Sequence, residues 1–583
     1  MLAVRPLTEL SKVFTYRSVN LWRAYARVFL KRRQKVFVER WLQTTSFIST
    51  PTSSQESRPQ KAAFYVSTPI FYVNASPHIG HLYTALVADS VVRWKRLKGS
   101  QTFFATGTDE HGLKVQQAAE KAGVAPKVFC DEVSDKFKDL FKKSDINFST
   151  FVRTTDESHV KAVHQLWNVL DEKGFIYKDL YKGWYSISDE AFVSDNDVVD
   201  VTTKSGETQK VSAESGHPVV WMEEENYKFR LSQFKPQLQQ WIDTEVIQPP
   251  QFKQVVQSSL ENLTDLSVTR SSDRVSWGIS VPNDPSQKIY VWLDALTNYL
   301  TVTGYPGDEY CSVWPADCHV VGKDILKFHA VYWPAFLLAA GLSLPKKILC
   351  HSHWRVDGMK MSKSLGNVVD PLECMSKYTV DGVRYFLLRQ ATPQKDADFN
   401  EGKIVKVINS ELVNTIGNAL NRITSKSLNP EQLFTNPSTD ALLTRFTDED
   451  RHTLEELYGL ADRVDRFYED GNVYLVLQTL MTYLFWLNKL IDDHKPWILV
   501  KTESEKEHLE TVIYIAMETL RVCGILIQPV IPAFSSRLLT RLGVPDNERD
   551  VAHSKVKVQS ATSESKRMLN PLESVLIQRI KQK

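Results

Sequence analysis

A chain of 583 residues, 42% hydrophobic and 24% charged, has the length for three or four domains with sizeable cores and the composition of an ordinary soluble globular protein. Its six cysteines (Cys130, Cys311, Cys318, Cys350, Cys374, Cys523) are scattered with no CxxC pair, which argues against a disulfide framework and a structural zinc site and for a reducing compartment. The net charge of +2 conceals an asymmetry: residues 1–60 hold eleven Lys or Arg against three acidic residues, so the remainder carries 60 basic against 66 acidic side chains.

Residues 1–60 read as a targeting segment. Arg23, Arg27 and Lys31 recur at helical spacing beside Leu21, Trp22, Tyr25 and Phe29, and a Ser/Thr-rich, acid-poor stretch follows. That is the composition of a mitochondrial presequence, with a basic RNA-binding arm as the alternative. Ordered patterning begins at Phe64.

The stretch 67–81, STPIFYVNASPHIGH, passes from a strand into a helix predicted over about 79–98. A helix N-terminus presents unpaired N–H groups and suits a phosphate. Gly80 lets a ligand approach the backbone, and His78 and His81 can donate hydrogen bonds to phosphate oxygens. A second strand from residue 101 ends at TGTDEHG. Strand, helix and parallel strand form a right-handed βαβ unit, and ligands of such sheets sit beyond the carboxyl ends of the strands. The two motifs should therefore share a cleft. There Asp109 and Glu110 are candidates to bind a cationic group, with His111 orienting them; the alternative is that Asp109 caps the next helix.

Residues 174–280 change texture and read as an insertion of about a hundred residues into the α/β domain, with a hairpin at 183–197 and a helix over 229–241. The α/β pattern resumes with a buried strand at 288–293 (KIYVWL), where Asp294 caps the following helix. Another strand at 318–321 leads into GKDILKFHAVYWPA, in which Ile325 and His329 share a helix face. KILCHSHW then introduces DGMKMSKSLGN, a polar loop able to close over phosphates. Past about residue 399 the chain is helical. Residues 473–491 and 511–534 are apolar, but polar interruptions and helical spacing make them core helices rather than membrane spans. Asn418 and Arg422 lie four apart on one helical face, and Trp497 sits near a helix end; by themselves these are an ordinary surface pair and a packed indole.

SPHIGH, GTDEHG and KMSKS, in this order of elements, resemble a class I aminoacyl-tRNA synthetase. TPIFYVNASPHIGH, TGTDEHG, YVWLDALTNY, VGKDILKFHAVYWPA, KMSKSLGN, DGVRYFLLR and GNALNR make most of the chain similar to the methionyl-tRNA synthetase family, and the basic leader to its mitochondrial form. The resemblance implies a Rossmann-type parallel-sheet catalytic domain with an inserted connective domain, followed by an all-α anticodon-binding bundle. Its expected divisions are a presequence (1–60), two catalytic halves (61–173 and 281–345) around the insertion (174–280), the KMSKS linking region (346–398) and the helical domain (399–583).

The resemblance also implies a methionine pocket of Ile70, Tyr72, Asp109, Trp292, Ala295, Leu296, Tyr299, Ile325, Phe328 and His329. Such aromatic walls suit a thioether. The ATP side falls on His78, Gly80, His81, Gly322, Asp324, Lys360, Ser362 and Lys363, with His78, His81, Lys360 and Lys363 stabilising charge alongside Mg²⁺. Anticodon contacts fall on Asn418, Arg422 and Trp497, since amide, guanidinium and indole groups suit unpaired bases. The implied reaction joins methionine and ATP as methionyl-adenylate and transfers the methionyl group to tRNA(Met) in the mitochondrial matrix. Family members often carry zinc in cysteine knuckles within the insertion. No cysteine lies between Cys130 and Cys311 here, so no metal site of the protein's own is expected. The family's C-terminal RNA-binding extension has no counterpart after about Val551, so a monomer is expected. Synthetases for leucine, valine, isoleucine or cysteine, and a catalytically silent RNA-binding protein on the same scaffold, are the rival readings.

Overall fold

The computed structural model describes residues 63–186, 191–193, 195–202, 208–213, 215–361, 366–434, 437–556, 567–571 and 575–581. The leader expected over 1–60, and Ser362 and Lys363 of the KMSKS stretch, lie outside the described residues.

A seven-stranded sheet runs in the order Ile247–Gln248, Ile348–His351, Cys318–Gly322, Phe64–Ser67 and Thr102–Asp109, with Phe71–Tyr72 and Thr150–Arg153 both paired to Thr102–Asp109. Every pairing is parallel. The central strands read as apolar runs because helices cover both faces. From Phe64–Ser67 the chain builds outward on one side, then returns on the other at Cys318–Gly322. This reversal of strand order opens a crevice at the carboxyl ends. TGTDEHG spans the carboxyl end of Thr102–Asp109, and SPHIGH, GKD and KMSKS lie at or beyond the carboxyl ends of other strands in sequence.

Several local expectations change. The strand expected at 288–293 is instead Asp284–Ile289, in a small antiparallel sheet outside the main one, and the helix Val291–Thr301 takes up Val291, Trp292 and Leu293. The helix expected over 229–241 is Lys235–Ile242, because the strand Val219–Phe229 holds its final residue in pairing with Ile176. Inside the interval read as an insertion, Ile247–Gln248 forms the edge strand of the main sheet, against Ile348 and Leu349. The hairpin is present: Ile176–Ser186 pairs antiparallel with Ala191–Val193.

From Glu401 to Ser554 the described residues are mostly helical, but the helical pattern expected to the end of the chain stops there: 567–571 and 575–581 carry no helix, and Met568 instead bridges Leu433. Val473–His494 and Lys506–Ile527 pack in the centre of the helical domain, and Leu480, Leu484, Leu487 and Ile491, at helical spacing, are buried as a core helix requires. No helix of the described residues is long and apolar enough to cross a membrane. This domain grips the helix Ile79–Leu97 that begins at the histidine turn. The Trp94 indole donates to Asp465 Oδ1 at 2.7 Å and stacks on Tyr468 with ring centroids 4.5 Å apart. From the helix Val380–Gln390 of the linking region, the buried Arg384 guanidinium donates to Asp89 Oδ2 at 2.7 Å and to the carbonyls of Ser144 and, in the helical domain, Val530. Losing one partner of such a buried pair costs about 3–5 kcal/mol, so the histidine helix is fixed between the two domains.

Candidate functional site

The crevice at the carboxyl ends is a cavity of about 400 Å³. Ile70, Tyr72, His78, Gly80, His81, Asp109, Trp292, Ala295, Leu296, Tyr299, Gly322, Asp324, Ile325, His329 and Lys360 all line it. Residues from five separate sequence motifs therefore meet in one space. Phe328 stands one layer back, stacked on Trp292 with centroids 3.7 Å apart and planes within 8°.

The histidine turn is held by its own side chains. His78 is the N-cap of Ile79–Leu97, and its Nδ1 accepts the Gly80 N–H at 3.0 Å. The His78 N–H in turn donates to His81 Nδ1 at 3.1 Å. Two orphan donors of the helix are thus satisfied reciprocally, as in a capping box. With both Nδ1 atoms accepting, the neutral rings carry their protons on Nε2. The rings stack at 3.8 Å. Burial, then the neighbouring His78, pushes His81 well below the usual imidazole range, more than Asp324 restores. The turn therefore offers neutral N–H donors rather than cations. A Cβ on Gly80 would lie 2.8 Å from His78 Cε1. The glycine makes room for the capping ring, where the sequence alone suggested room for a ligand.

The apolar end is built around one fixed hydrogen bond. His329 Nδ1 donates to the Ile325 carbonyl at 2.8 Å, so its Nε2 accepts the Tyr299 hydroxyl at 2.6 Å. Burial first holds His329 down to about 4, so the ring stays neutral. Ala295 and Leu296 are buried beside it, and Trp292 meets the His329 ring edge-on at 6.2 Å. Asp109, 8% exposed, closes Thr102–Asp109 at the rim.

The neighbours of Asp109 do other work than the sequence suggested. Glu110 is fully buried and taken up by Arg153 (2.6 and 2.8 Å), Thr155 and Thr108. His111 bonds Asp294 at 2.7 Å, and His159 bonds the other Asp294 oxygen at 2.8 Å. Asp294 therefore lies in the first turn of its helix as the buried partner of two histidines; Tyr290 is the N-cap. The helix at Gly112 has no side-chain cap, so Asp109 does not serve it.

At the polar end Asp324 sits in the turn after Cys318–Gly322. Desolvation by the cavity walls pushes its carboxyl upward, but the hydrogen bond and charge of His353 and the charge of Lys360 outweigh this, leaving it well below the usual carboxylate range. A Cβ on Gly322 would lie 2.8 Å from Asp324 Oδ1, so only glycine admits that carboxylate conformation. Sequence reasoning missed Thr84, Lys114, Asn298, His351, Ser352 and His353, which also line the cavity. His351 Nε2 meets Thr84 Oγ1 at 2.9 Å, tying the strand before KMSKS to the histidine helix. The signal for His351 and His353 was present: CHSHW closes a parallel strand at its carboxyl end.

In the helical domain, Asn418 is exposed at the start of Asn418–Ile423. The Arg422 guanidinium lies 5.0 Å over the Trp497 ring and 2.7 Å from Asp492 Oδ1. Trp497 is 41% exposed beside exposed Ile498 and Val500, so it is a surface indole rather than a core one. Among the described residues, no group of three His, Cys, Asp or Glu side chains is placed to hold a metal.

Residues 64–424 match the family described as tRNA synthetases class I (M). The chain is 50% identical over 503 residues to the mitochondrial methionine–tRNA ligase of Homo sapiens, covering 84% of this chain and 85% of that one. It is 44% identical to the probable mitochondrial methionine–tRNA ligase of Dictyostelium discoideum, covering 84% and 87%. Among solved structures, the Mycobacterium tuberculosis methionyl-tRNA synthetase in complex with methionyl-adenylate superposes with a TM-score of 0.83 at 38% identity, over 89% of this chain and 100% of the other. With five motifs converging on one cavity at the sheet's switch point, the chain belongs to the class I tRNA synthetase (M) family.

Proposed function

We propose that this protein is an ATP-dependent methionine–tRNA ligase of the mitochondrial matrix, acting as a monomer on methionine, ATP and tRNA(Met). The observation that carries this reading is the single cavity with an aromatic, uncharged end at Trp292, Tyr299 and His329, a carboxylate at its rim and histidine donors opposite. The relatives' names and the adenylate-bound neighbour support it. The thioether side chain lies against the aromatic walls, and Asp109 pairs with the α-ammonium. The methionine carboxylate is then free to attack the α-phosphate of ATP in line, releasing pyrophosphate. No side chain acts as nucleophile. The Nε2–H groups of His78 and His81 donate to the phosphate as charge develops, Lys360 adds a cation, and Asp324 takes ribose hydroxyls. Lys363 and Ser362 are assigned to the triphosphate on the motif alone. Magnesium travels on the triphosphate, the usual habit of an ion that keeps its waters and binds phosphates. The terminal adenosine of tRNA then attacks the adenylate carbonyl, by its 2′ hydroxyl first, forming the methionyl ester as the bond from the carbonyl carbon to the phosphate oxygen breaks and AMP leaves, with the hydroxyl proton released.

Asn418, Arg422 and Trp497 are proposed to read the anticodon, the indole stacking on an unpaired base. Trp497→Ala should raise the KM for tRNA about tenfold, from a stacking contribution of about 1–3 kcal/mol per base, while methionine-dependent ATP–pyrophosphate exchange stays at the wild-type rate. Equal loss in both assays would make Trp497 a packing residue.

A further inference from the structure

Asp324 is the acid assigned to the ribose, yet it stands on a three-residue turn with its side chain 51% exposed. A carboxylate in that situation loses rotamer freedom when it binds a ligand, unless something holds it beforehand. His353 does so: its Nε2–H lies 3.1 Å from Asp324 Oδ1, and a carboxylate can only accept. His353 is fixed in its turn. Its backbone N–H donates to Asp396 Oδ1 at 3.0 Å, and Lys323, the residue before Asp324, donates to the same oxygen at 2.6 Å. The chain of contacts closes on itself, from Asp324 through His353 and Asp396 to Lys323 and back. Asp396, 14% exposed at its side chain, also pairs with Arg355. Arg355 lies on the strand Trp354–Val356, which pairs with Met359–Lys360 at the start of the KMSKS loop.

We infer that His353 is a positioning residue for the nucleotide: it holds Asp324 Oδ1 so that the other carboxylate oxygen meets the ribose hydroxyls, and it ties this aim to the hairpin that carries Lys360. An incidental surface pair would have no effect on which nucleotide is preferred. A held carboxylate contributes specifically to ribose recognition. This inference rests on the assignment of Asp324 to the ribose.

The test uses the full-length enzyme in methionine-dependent ATP–pyrophosphate exchange, with ATP, 2′-deoxyATP and 3′-deoxyATP as nucleotides. Asp324→Asn, His353→Ala and His353→Gln are compared, with thermal melting to verify folding. His353→Ala should raise the KM for ATP about tenfold, as expected for a hydrogen bond to a charged group. The KM for methionine should hold, and the preference for ATP over the deoxynucleotide that Asp324 discriminates should fall. His353→Gln, whose amide also donates, should recover most of the loss. In Asp324→Asn, adding His353→Ala should cost little more. If Asp324→Asn discriminates the deoxynucleotides as well as wild type does, the ribose assignment fails and this inference with it. If Asp324→Asn loses discrimination but His353→Ala keeps it, the ribose assignment stands and the positioning role is overturned. If His353→Ala unfolds, His353→Phe, which keeps the ring's bulk but cannot donate, takes its place: a fall in discrimination toward the Asp324→Asn level supports the role, and discrimination near the wild-type level contradicts it.

Discussion

Asp109→Asn should lower kcat/KM for methionine by about 10²–10³-fold, in line with about 2–5 kcal/mol for removing one partner of a buried charge pair. The substitution keeps the shape of the side chain and removes only its charge. Asp109 ends Thr102–Asp109 at the cavity rim with 8% of its surface exposed, so an ammonium bound there gives up much of its hydration. Glu110 cannot substitute, because its carboxylate is committed to Arg153 and Thr155. Asp294 cannot either, since His111 and His159 occupy both its oxygens. The KM for ATP should stay within about twofold, because the ribose and phosphate groups are assigned to the other end of the cavity. Steady-state exchange with methionine and ATP varied in turn separates the two. An unchanged KM for methionine would move the ammonium site elsewhere.

His81→Gln should slow methionyl-adenylate formation by on the order of 10²-fold, the lower range for loss of one preorganised donor, with little change in melting temperature. His81 does two things that this substitution separates. Its Nδ1 accepts the His78 N–H to complete the reciprocal cap, and glutamine is a usual residue at that helix position for that purpose. Its Nε2–H is the donor proposed to face the phosphate, and the longer, flexible amide does not reproduce the position of a ring stacked 3.8 Å from His78. Single-turnover adenylate formation, measured with methionine binding, separates rate from affinity. A wild-type rate would confine His81 to capping. A large drop in stability with a proportional loss of methionine binding would make the residue architectural.

The parts of the site that lie in short motifs at strand ends were legible in the sequence. The carboxyl-end rule for parallel sheets brings SPHIGH and TGTDEHG to one crevice, Gly322 and Asp324 join it through the family resemblance, and the helix start at Ile79 follows from the turn itself. What escaped depends on partners far along the chain. Asp294 reads as a cap only while KIYVWL is taken for a strand; it lies inside the helix, and its role is set by His111, 183 residues earlier. Glu110 looks like a second ligand carboxylate until Arg153 is placed beside it. KIYVWL reads as a buried strand because its apolar residues do not distinguish a strand end from a buried helix start; Tyr290 divides the two here. Ile247–Gln248 is a two-residue strand, too short to leave a periodicity. His353 stands beside a loop motif that draws attention away from it, and its function becomes visible only through Asp324 and Asp396.

We propose that the aromatic end of the cavity and the rim carboxylate together select methionine for adenylation. The most direct test is ATP–pyrophosphate exchange by the purified protein with each of methionine, leucine, isoleucine, valine and cysteine. One methylene is worth only about 1–3 kcal/mol of discrimination, so some exchange with leucine is compatible with the pocket. Methionine should nonetheless support exchange with kcat/KM at least about tenfold above every other amino acid. Equal or faster exchange with leucine, isoleucine, valine or cysteine, or no amino-acid-dependent exchange at all, would contradict the account.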